Sequence, residues 1–270
     1  MKATVLMDNI AKDGLKGEWG LCISIHHGDT RILLDTGAGE NFARNAEKLG
    51  IPLKKVDYGV LSHAHYDHAD GMEKFFSLNS KAKFYLSSEC KENCYGKRWI
   101  FSKYIGIKRG IIDTYKDRIV YVKGDKVIAN GVRIISHKTK GLEERGKKDG
   151  LCIKENRKLR PDNFAHEQSL VIDTDSGLVI FNSCCHGGAD TVIAEVQKSF
   201  PNKKIYALVG GFHLYKSSDD EVRALAARIK KTGIEKIYTG HCTGDKAFKI
   251  LKDELGDKAE QLHVGLVVEA

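Results

Sequence analysis

Four residues with metal-binding side chains fall within six positions of this chain: His63, His65, Asp67 and His68, in the stretch Leu61-Ser62-His63-Ala64-His65-Tyr66-Asp67-His68-Ala69-Asp70-Gly71. In extended backbone, residues two apart point to the same side. His63 and His65 can therefore reach one ion together. Asp67 keeps that alternation and His68 breaks it, so a turn here sends Asp67 and His68 toward a second point nearby. Imidazole with carboxylate suits zinc, iron or manganese. A catalytic site also needs an open position for water, and two adjacent ions are the arrangement this spacing supports best. A solvated histidine-rich loop would explain one or two histidines, but not this spacing directly after the apolar pair Val60-Leu61.

Three more histidines are placed to join such a site. His186, in Cys184-Cys185-His186-Gly187-Gly188, sits between a predicted strand and a predicted helix, where a ligand is well presented. His241, in Gly240-His241-Cys242-Thr243-Gly244, has the same setting. His213 follows Gly210-Gly211-Phe212, whose paired glycines let backbone approach closely; it reads as a substrate-binding or proton-donating residue, against the alternative of a histidine in a tight turn. The helix opened by Thr243-Gly244-Asp245 offers free N–H groups to a phosphate or carboxylate, unless Thr243 or Asp245 caps it. His26, His27, His137 and His263 have no partners in sequence and read as structural or exposed.

The elements that must position these residues come in two runs. Strands are expected at Lys2–Met7, Leu21–His26 and Arg31–Asp35, the last two joined by the four polar residues His27-Gly28-Asp29-Thr30. Phe42, Ala46 and Leu49 recur at helical spacing and Gly50 closes that helix. Asp57–Leu61 is the strand that delivers the histidine cluster, Met72–Leu78 a helix, and Lys83–Leu86 a strand. In the second half, Ser169–Asp173 and Leu178–Asn182 form a hairpin. Thr191–Phe200, Asp219–Lys231 and Asp245–Leu255 are helices, alternating with strands at Lys204–Val209, Lys236–Tyr238 and Leu262–Val268. Two facing sheets with helices outside satisfy this order. Residues 88–162 hold two expected strands, at 118–122 and 131–136, within Lys/Arg-rich stretches that read as irregular, basic loops over the site entrance.

The chain has 270 residues and 41% hydrophobic content, enough for a substantial core. We expect one domain spanning 1–270, with 88–162 as an insertion. No apolar run approaches the roughly 20 residues needed to cross a membrane, and Met1-Lys2-Ala3-Thr4-Val5-Leu6-Met7-Asp8 meets an acid too early for a signal peptide, so none is expected. Seven cysteines, three of them beside candidate metal histidines, favour a reducing cytoplasm over a disulfide framework. The net charge of +8 fits either an anionic partner or a lysine-rich surface. Trp99, Ile100 and Phe101 could serve a homodimer.

His63-Ala64-His65-Tyr66-Asp67-His68 resembles the H-x-H-x-D-H signature of the metallo-β-lactamase superfamily, and Leu33-Leu34-Asp35-Thr36-Gly37 is similar to its first motif. The segments around His186, His213 and His241 fall where its later motifs would, most like the subgroup described as dihydropterin-(ribofuranosyl)aminobenzene-phosphate synthase-like. The resemblance runs from about Lys2 to the C-terminus. It implies a four-layer αββα sandwich within the α/β (α+β) class and a metal-dependent hydrolase with two divalent ions, zinc first, iron or manganese as alternatives. His63, His65 and His186 would hold one ion, and Asp67, His68 and His241 the other. Asp67 could also orient the nucleophile, and His213 could act as acid toward the leaving group.

Two departures stand out. Cys184 occupies the position where many relatives place a bridging aspartate; it could ligate as thiolate or simply pack. The Gly-His-Thr-Pro-Gly-like segment of relatives is replaced by Pro161-Asp162-Asn163-Phe164-Ala165-His166-Glu167-Gln168, so His186 could supply the third ligand while His166 or Asp162 lines the site. A phosphorylated or otherwise anionic small molecule is the expected substrate, a phosphoester or cyclic phosphodiester by preference. A lactone or thioester substrate, a nuclease, and a non-hydrolytic redox or metal-sensing role stay open. Nucleic acid is the less favoured partner, and no membrane partner is expected.

Overall fold

The computed structural model describes all 270 residues. Strands β1 (Lys2–Met7), β2 (Cys22–His27) and β3 (Thr30–Leu34) form an antiparallel trio. Helix α1 (Asn41–Lys48) returns the chain so that β4 (Tyr58–Val60) lies parallel to β3. Two short helices, α2 (Tyr66–Ala69) and α3 (Met72–Leu78), lead to β5 (Lys83–Ser87), parallel to β4. A hairpin of β6 (Cys94–Arg98) and β7 (Phe101–Tyr104) follows, then α4 (Ile111–Thr114) and β8 (Ile119–Val122), which pairs with β5.

Strands β9 (Lys126–Ala129) and β10 (Val132–Ser136) open a second large sheet. Helix α5 (Glu143–Asp149) precedes the hairpin of β11 (Leu151–Glu155) and β12 (Lys158–Pro161). Next come β13 (Gln168–Thr174), β14 (Gly177–Phe181), α6 (Ala189–Ser199), β15 (Ile205–Val209), α7 (Asp219–Lys231), β16 (Lys236–Thr239), α8 (Asp245–Leu255), β17 (Ala259–Gln261) and β18 (Val267–Glu269). The first sheet runs β18-β1-β2-β3-β4-β5-β8, the second β17-β16-β15-β14-β13-β10-β9, and a small third one β12-β11-β6-β7.

Period-two alternation decides which side of each sheet is packed against what. Val5, Ile23, Ile25, Ile32 and Leu34 from the first sheet meet Ile134, Leu170, Ile172, Val179, Phe181 and Val209 from the second in one buried cluster between the sheets. The opposite faces are covered by helices. Phe42, Ala46, Phe75 and Phe76 of α1 and α3 pack on the first sheet. Val192, Val196, Leu225, Ile229 and Leu251 of α6, α7 and α8 pack on the second. The outcome is the four-layer αββα arrangement. The best-specified helix is α7. Ser218 accepts from the Glu221 N–H while the Glu221 carboxylate accepts from the Ser218 N–H, a reciprocal cap that fixes its start.

Three expectations need correction. His27 and Thr30 are paired, so the β2–β3 hairpin turns on Gly28-Asp29 alone and not on four residues. The expected last strand at Leu262–Val268 is mostly the crossover between two sheets: β17 ends before it, at Gln261, and β18 starts only at Val267. Residues 88–162 are not an irregular insertion. Beyond β8 and β10 they supply β9 and the whole small sheet, in which β6 pairs with β11, more than fifty positions later. No helix is long and apolar enough to cross a membrane.

Candidate metal centre

The candidate ligands sit at the carboxyl ends of strands, where α/β sheets gather ligand sites. His63, His65, Asp67 and His68 follow β4. Cys184 and His186 follow β14, His213 follows β15, and His241 follows β16. The strand ends of both large sheets therefore meet at one place.

Asp35, one residue past β3, fixes two of the histidines. Its carboxylate accepts from the Ser62 N–H at 2.7 Å, the Ser62 hydroxyl at 2.7 Å and His68 Nδ1 at 2.8 Å. Ser62 Oγ, with its proton given to Asp35, accepts from His63 Nδ1 at 2.8 Å. Both imidazoles are thus left with a bare Nε2. Asn9 treats His241 the same way: its Oδ1 accepts from His241 Nδ1 at 3.2 Å and its amide donates to the His241 carbonyl at 3.1 Å. Such outer hydrogen bonds set the tautomer of a metal-binding histidine.

The consequence is a contact that needs a cation. His68 Nε2 and His241 Nε2 lie 3.2 Å apart, and in these tautomers each presents a lone pair to the other. Asp67 Oδ2 lies 3.6 Å from the first and 3.4 Å from the second. A tetrahedral zinc with N and O ligands at about 2.0–2.1 Å spaces those ligands by about 3.3 Å. The triad matches that spacing. On the other side, His63, His65 and His186 bring one nitrogen each within 4.8 Å of one another. His63 Nε2, His65 Nε2 and both His186 nitrogens are buried without a partner. Each unmet buried polar atom costs about 1–3 kcal/mol, and a shared divalent cation would satisfy several at once. The donor sets fit such an ion.

Electrostatics agree with this. Burial first, then the neighbouring histidines, hold His63 and His186 well below the usual histidine range, and burial brings His65 down to about 3. Burial pushes the Asp67 carboxyl up, but His68 and His241 outweigh it and hold it well below the usual range. Burial likewise opposes a proton on His241, yet Cys242 and Asp67 outweigh that and lift it to about 9.

Cys184 lies between the two donor sets. Its Sγ is 3.3 Å from His68 Nε2 and 3.3 Å from Cys242 Sγ, and it groups within 4.8 Å with His63 and His68, with His186 and His213, and with His241 and Cys242. The His213 ring is 4.4 Å from that of His186, its Nε2 is 3.8 Å from Asp149 Oδ2, and the backbone N–H of His213 donates to Cys242 Sγ at 3.2 Å. Burial pushes its pKa down, but Cys242 and Asp149 outweigh burial and raise it.

His166 stands beside this group of candidate ligands. Its Nε2 donates to Asp162 Oδ2 at 3.1 Å and its Nδ1 accepts from the Ala64 N–H at 3.2 Å, so it braces the backbone of the histidine cluster. With Asp162, Cys94 and His65 it forms a neighbouring buried group. The next residue, Glu167, accepts from the backbone N–H of His186 at 2.8 Å. Phe164 stacks on the His186 ring at 4.6 Å. Thr243 does not cap α8: its hydroxyl accepts from the Phe212 N–H and pairs with Thr239, and Gly244 stands at the cap position.

Backbone strain marks the same place. Asp35, Phe164, Cys185, His213 and His241 all take positive φ between 44° and 58°, a conformation that costs non-glycine residues and gathers at functional sites. Sequence reading missed Asn9, Ser62, Glu167 and the role of Asp35. Only Asp35 carried a signal, since a lone acid ending an apolar strand invites the question of what it binds.

The centre opens into a cavity of about 390 Å³. Lys97, Arg98, Lys103 and Lys216 line its mouth together with Trp19, Tyr66 and Tyr215. A larger concavity of about 710 Å³ among Glu40, Arg44, Ile51 and Lys74 holds no cluster of ligand side chains, so the chemistry belongs to the smaller one.

Comparison with known proteins places this geometry. Residues 20–149 match the family described as the metallo-beta-lactamase superfamily. The crystal structure of Tm1679, described as a metal-dependent hydrolase of the beta-lactamase superfamily, superposes with a TM-score of 0.85 at 30% identity, covering 100% of this chain and 99% of that one. The 7,8-dihydropterin-6-methyl-4-(beta-D-ribofuranosyl)-aminobenzene-5'-phosphate synthase of Methanocaldococcus jannaschii is 29% identical over 250 residues, 88% of this chain and 84% of the relative. The metallo-beta-lactamase fold protein YhfI of Bacillus subtilis shares the fold, with a TM-score of 0.60 at 13% identity over 100% of this chain and 98% of that one. The chain belongs to the metallo-beta-lactamase superfamily.

Proposed function

We propose that this protein is a metal-dependent hydrolase with two divalent ions, acting on a phosphorylated or otherwise anionic small molecule. The observation that carries the reading is the 3.2 Å approach of two lone-pair nitrogens, His68 Nε2 and His241 Nε2, beside the unpartnered nitrogens of His63, His65 and His186. His63, His65 and His186 would hold one ion, and Asp67, His68 and His241 the other, with Cys184 within reach of both. Ions bound there would supply Lewis acidity and a water acidic enough to act near neutral pH.

The chain's own residues do the rest. Asp35 and Asn9 hold the three imidazoles His63, His68 and His241 in the ligating tautomer. Asp67, kept ionised, can orient a water or accept its proton. His213, with its raised pKa and its place against His186, can carry a proton to a leaving group. Lys97, Arg98, Lys103 and Lys216 at the mouth favour an anionic substrate, and a phosphoester or cyclic phosphodiester is the preferred class. Zinc fits the spacing, and iron or manganese would accept the same donors. Seven unpaired, buried cysteines support a reducing compartment.

The name of the M. jannaschii relative favours a second reading, a non-hydrolytic, bond-forming reaction on a phosphorylated substrate at the same centre. The test is metal content of protein purified without added metal, with turnover on phosphodiester, ester and lactone panels. About two ions per chain and phosphodiester cleavage, lost in His65→Ala, support the hydrolase. Two ions without cleavage of any panel favour the second reading. One ion or none, with no turnover after loading with zinc, manganese or anaerobic iron, overturns both.

A further inference from the structure

Two of the seven cysteines face each other inside the active-site cavity, and the chemistry above uses only one of them. Cys184 Sγ and Cys242 Sγ are 3.3 Å apart, closer than two sulfurs rest in ordinary contact and about 1.3 Å beyond a disulfide bond. They come from different strand ends, 58 positions apart in sequence. Cys242 is fixed by the N–H of His213, which donates to its sulfur at 3.2 Å. Gly211 leaves it room: a Cβ at that position would sit 2.5 Å from Cys242 Sγ. Cys184 is fixed by His68 Nε2 at 3.3 Å. Both side chains line the 390 Å³ cavity, so a small solute that reaches the centre reaches them. The other cysteines are differently placed. The neighbouring Cys185, for example, turns its sulfur to the carbonyl of Asn182 at 3.6 Å.

We propose that Cys184 and Cys242 form a redox-modifiable dithiol, which a hydroperoxide entering the cavity converts to a disulfide, and that this modification withdraws Cys184 from the metal centre. The step balances. Cys242 Sγ, as thiolate, attacks the peroxide O–O bond and forms an S–O bond to one oxygen, and the departing oxygen takes the Cys184 proton and leaves as alcohol or water. Cys184 Sγ, now a thiolate, attacks the sulfenic sulfur, the S–O bond breaks, and the oxygen leaves as hydroxide. Two thiols are oxidised and one hydroperoxide is reduced. Pulling the sulfurs together by about 1.3 Å draws Cys184 Sγ toward Cys242, away from the position it shares with His63 and His68. The disulfide form should therefore hold its ions less tightly.

The consequence for metal rests on the two-ion reading; the disulfide itself does not. The test uses hydrogen peroxide on the full chain, metal-loaded and metal-stripped, read by non-reducing peptide mass mapping, thiol titration and release of zinc to a chromophoric chelator. The expected result is a cross-linked pair of peptides containing Cys184 and Cys242, two hydrogens lighter, with two thiols lost per chain and recovery on adding dithiothreitol. Metal release should follow cross-linking in the loaded protein. Cys184→Ser and Cys242→Ser should each abolish the cross-link, while Cys185→Ser leaves it intact. Oxidation that spares this pair in the metal-stripped protein, or that stops at sulfinic acid on one of them, overturns the dithiol. Cross-linking that leaves the zinc bound overturns its effect on the centre. A protein that binds no zinc, manganese or iron but still forms the cross-link would sink the two-ion reading and leave the dithiol standing.

Discussion

The floor of the site and its mouth are built in opposite ways. On the floor, His63, Asp67, His68, His186 and His241 are all buried and held at strand ends of the two large sheets. Each ring there is set by a neighbour or stacked on one. At the mouth, Lys97, Arg98 and Lys103 ride on the β6–β7 hairpin of the small sheet, whose tip residues Trp99 and Ile100 are 88% exposed. The floor's side chains are held in place by buried hydrogen bonds and ring contacts, whereas the side chains of the hairpin tip are in solvent. On the proposed reading, chemistry would be fixed by the two-sheet scaffold, and substrate choice left to a hairpin that can change without disturbing it.

The largest effect should come from breaking the floor at Asp35, which orients two of the candidate ligands. Asp35→Ala removes the acceptor for His68 Nδ1 and for Ser62, and through Ser62 the acceptor for His63. Loss of such outer partners costs about 10- to 100-fold in metal affinity or activity, and here two ligands are struck by one change. Metal content and zinc affinity of Asp35→Ala should fall by at least about 100-fold. An affinity within threefold of the parent would show that the histidines orient themselves.

A second break lies behind the floor. His137 Nδ1 donates to Glu195 Oε2 at 2.7 Å, and its Nε2 lies 3.9 Å from Glu167, the residue that holds the His186 backbone. Burial lowers the His137 pKa, but the Glu195 hydrogen bond and the two glutamate charges outweigh it and raise it. Burial raises that of Glu195, and His137 outweighs it in turn. The signs follow. Stability from charged His137 is full below its unfolded value, about 6.5, and fades as pH rises through the raised folded value. Stability from Glu195 is full above about 4.3 and fades as pH falls through its depressed value. Denaturant unfolding should show a contribution strongest between these limits, of about 3 kcal/mol, and absent from His137→Ala. A difference between the two proteins that fails to shrink as pH rises through the raised His137 value, or falls through the depressed Glu195 value, would remove the pair from the account.

The contrast between floor and mouth also explains what could be read from the chain. The proximity of His63, His65, Asp67 and His68 was legible because one strand end delivers four metal-binding side chains through local geometry. Helices α7 and α8 were legible to the residue, since their apolar stripes and acidic first turns are local too. The roles of Asn9 and Ser62 were not, because neither has any meaning until β1 and β4 are paired with their neighbours. The small sheet was invisible for the same reason: Cys94 faces Ile153 across 59 positions, and strands such as Lys158-Leu159-Arg160-Pro161 are wholly exposed and carry no alternation. The lone histidine His137 looked structural in sequence, and its two glutamates lie 30 and 58 positions away.

At the mouth, effects should be smaller and salt-sensitive. Lys97→Ala, Lys103→Ala and Lys216→Ala each remove one exposed cation, worth about 0.2–1 kcal/mol. Each should raise KM for an anionic substrate by about two- to fivefold and leave kcat nearly unchanged. The difference from the parent should vanish near 1 M salt, where the screening length shrinks to about 3 Å. A fall in kcat with no change in KM would mean that these lysines reach the reacting atoms and are not merely part of the approach.

The smallest effect is expected at the hairpin tip. Trp99 and Ile100 are 88% exposed and Phe101 75%, so in an isolated chain they bury almost nothing. Surface substitutions of this kind usually change stability by less than about 0.5 kcal/mol. The triple variant Trp99→Ser, Ile100→Ser, Phe101→Ser should therefore unfold at nearly the parent's denaturant midpoint at every protein concentration. Three adjacent large apolar side chains in water are nonetheless an unusual surface, and concentration is the variable that exposes a hidden partner. If the parent grows more stable with concentration while the triple variant does not, the tip is covered by a second copy of the chain. The mouth of the site would then be partly an interface, and the freedom ascribed to this hairpin would be bounded by the need to fit a neighbour.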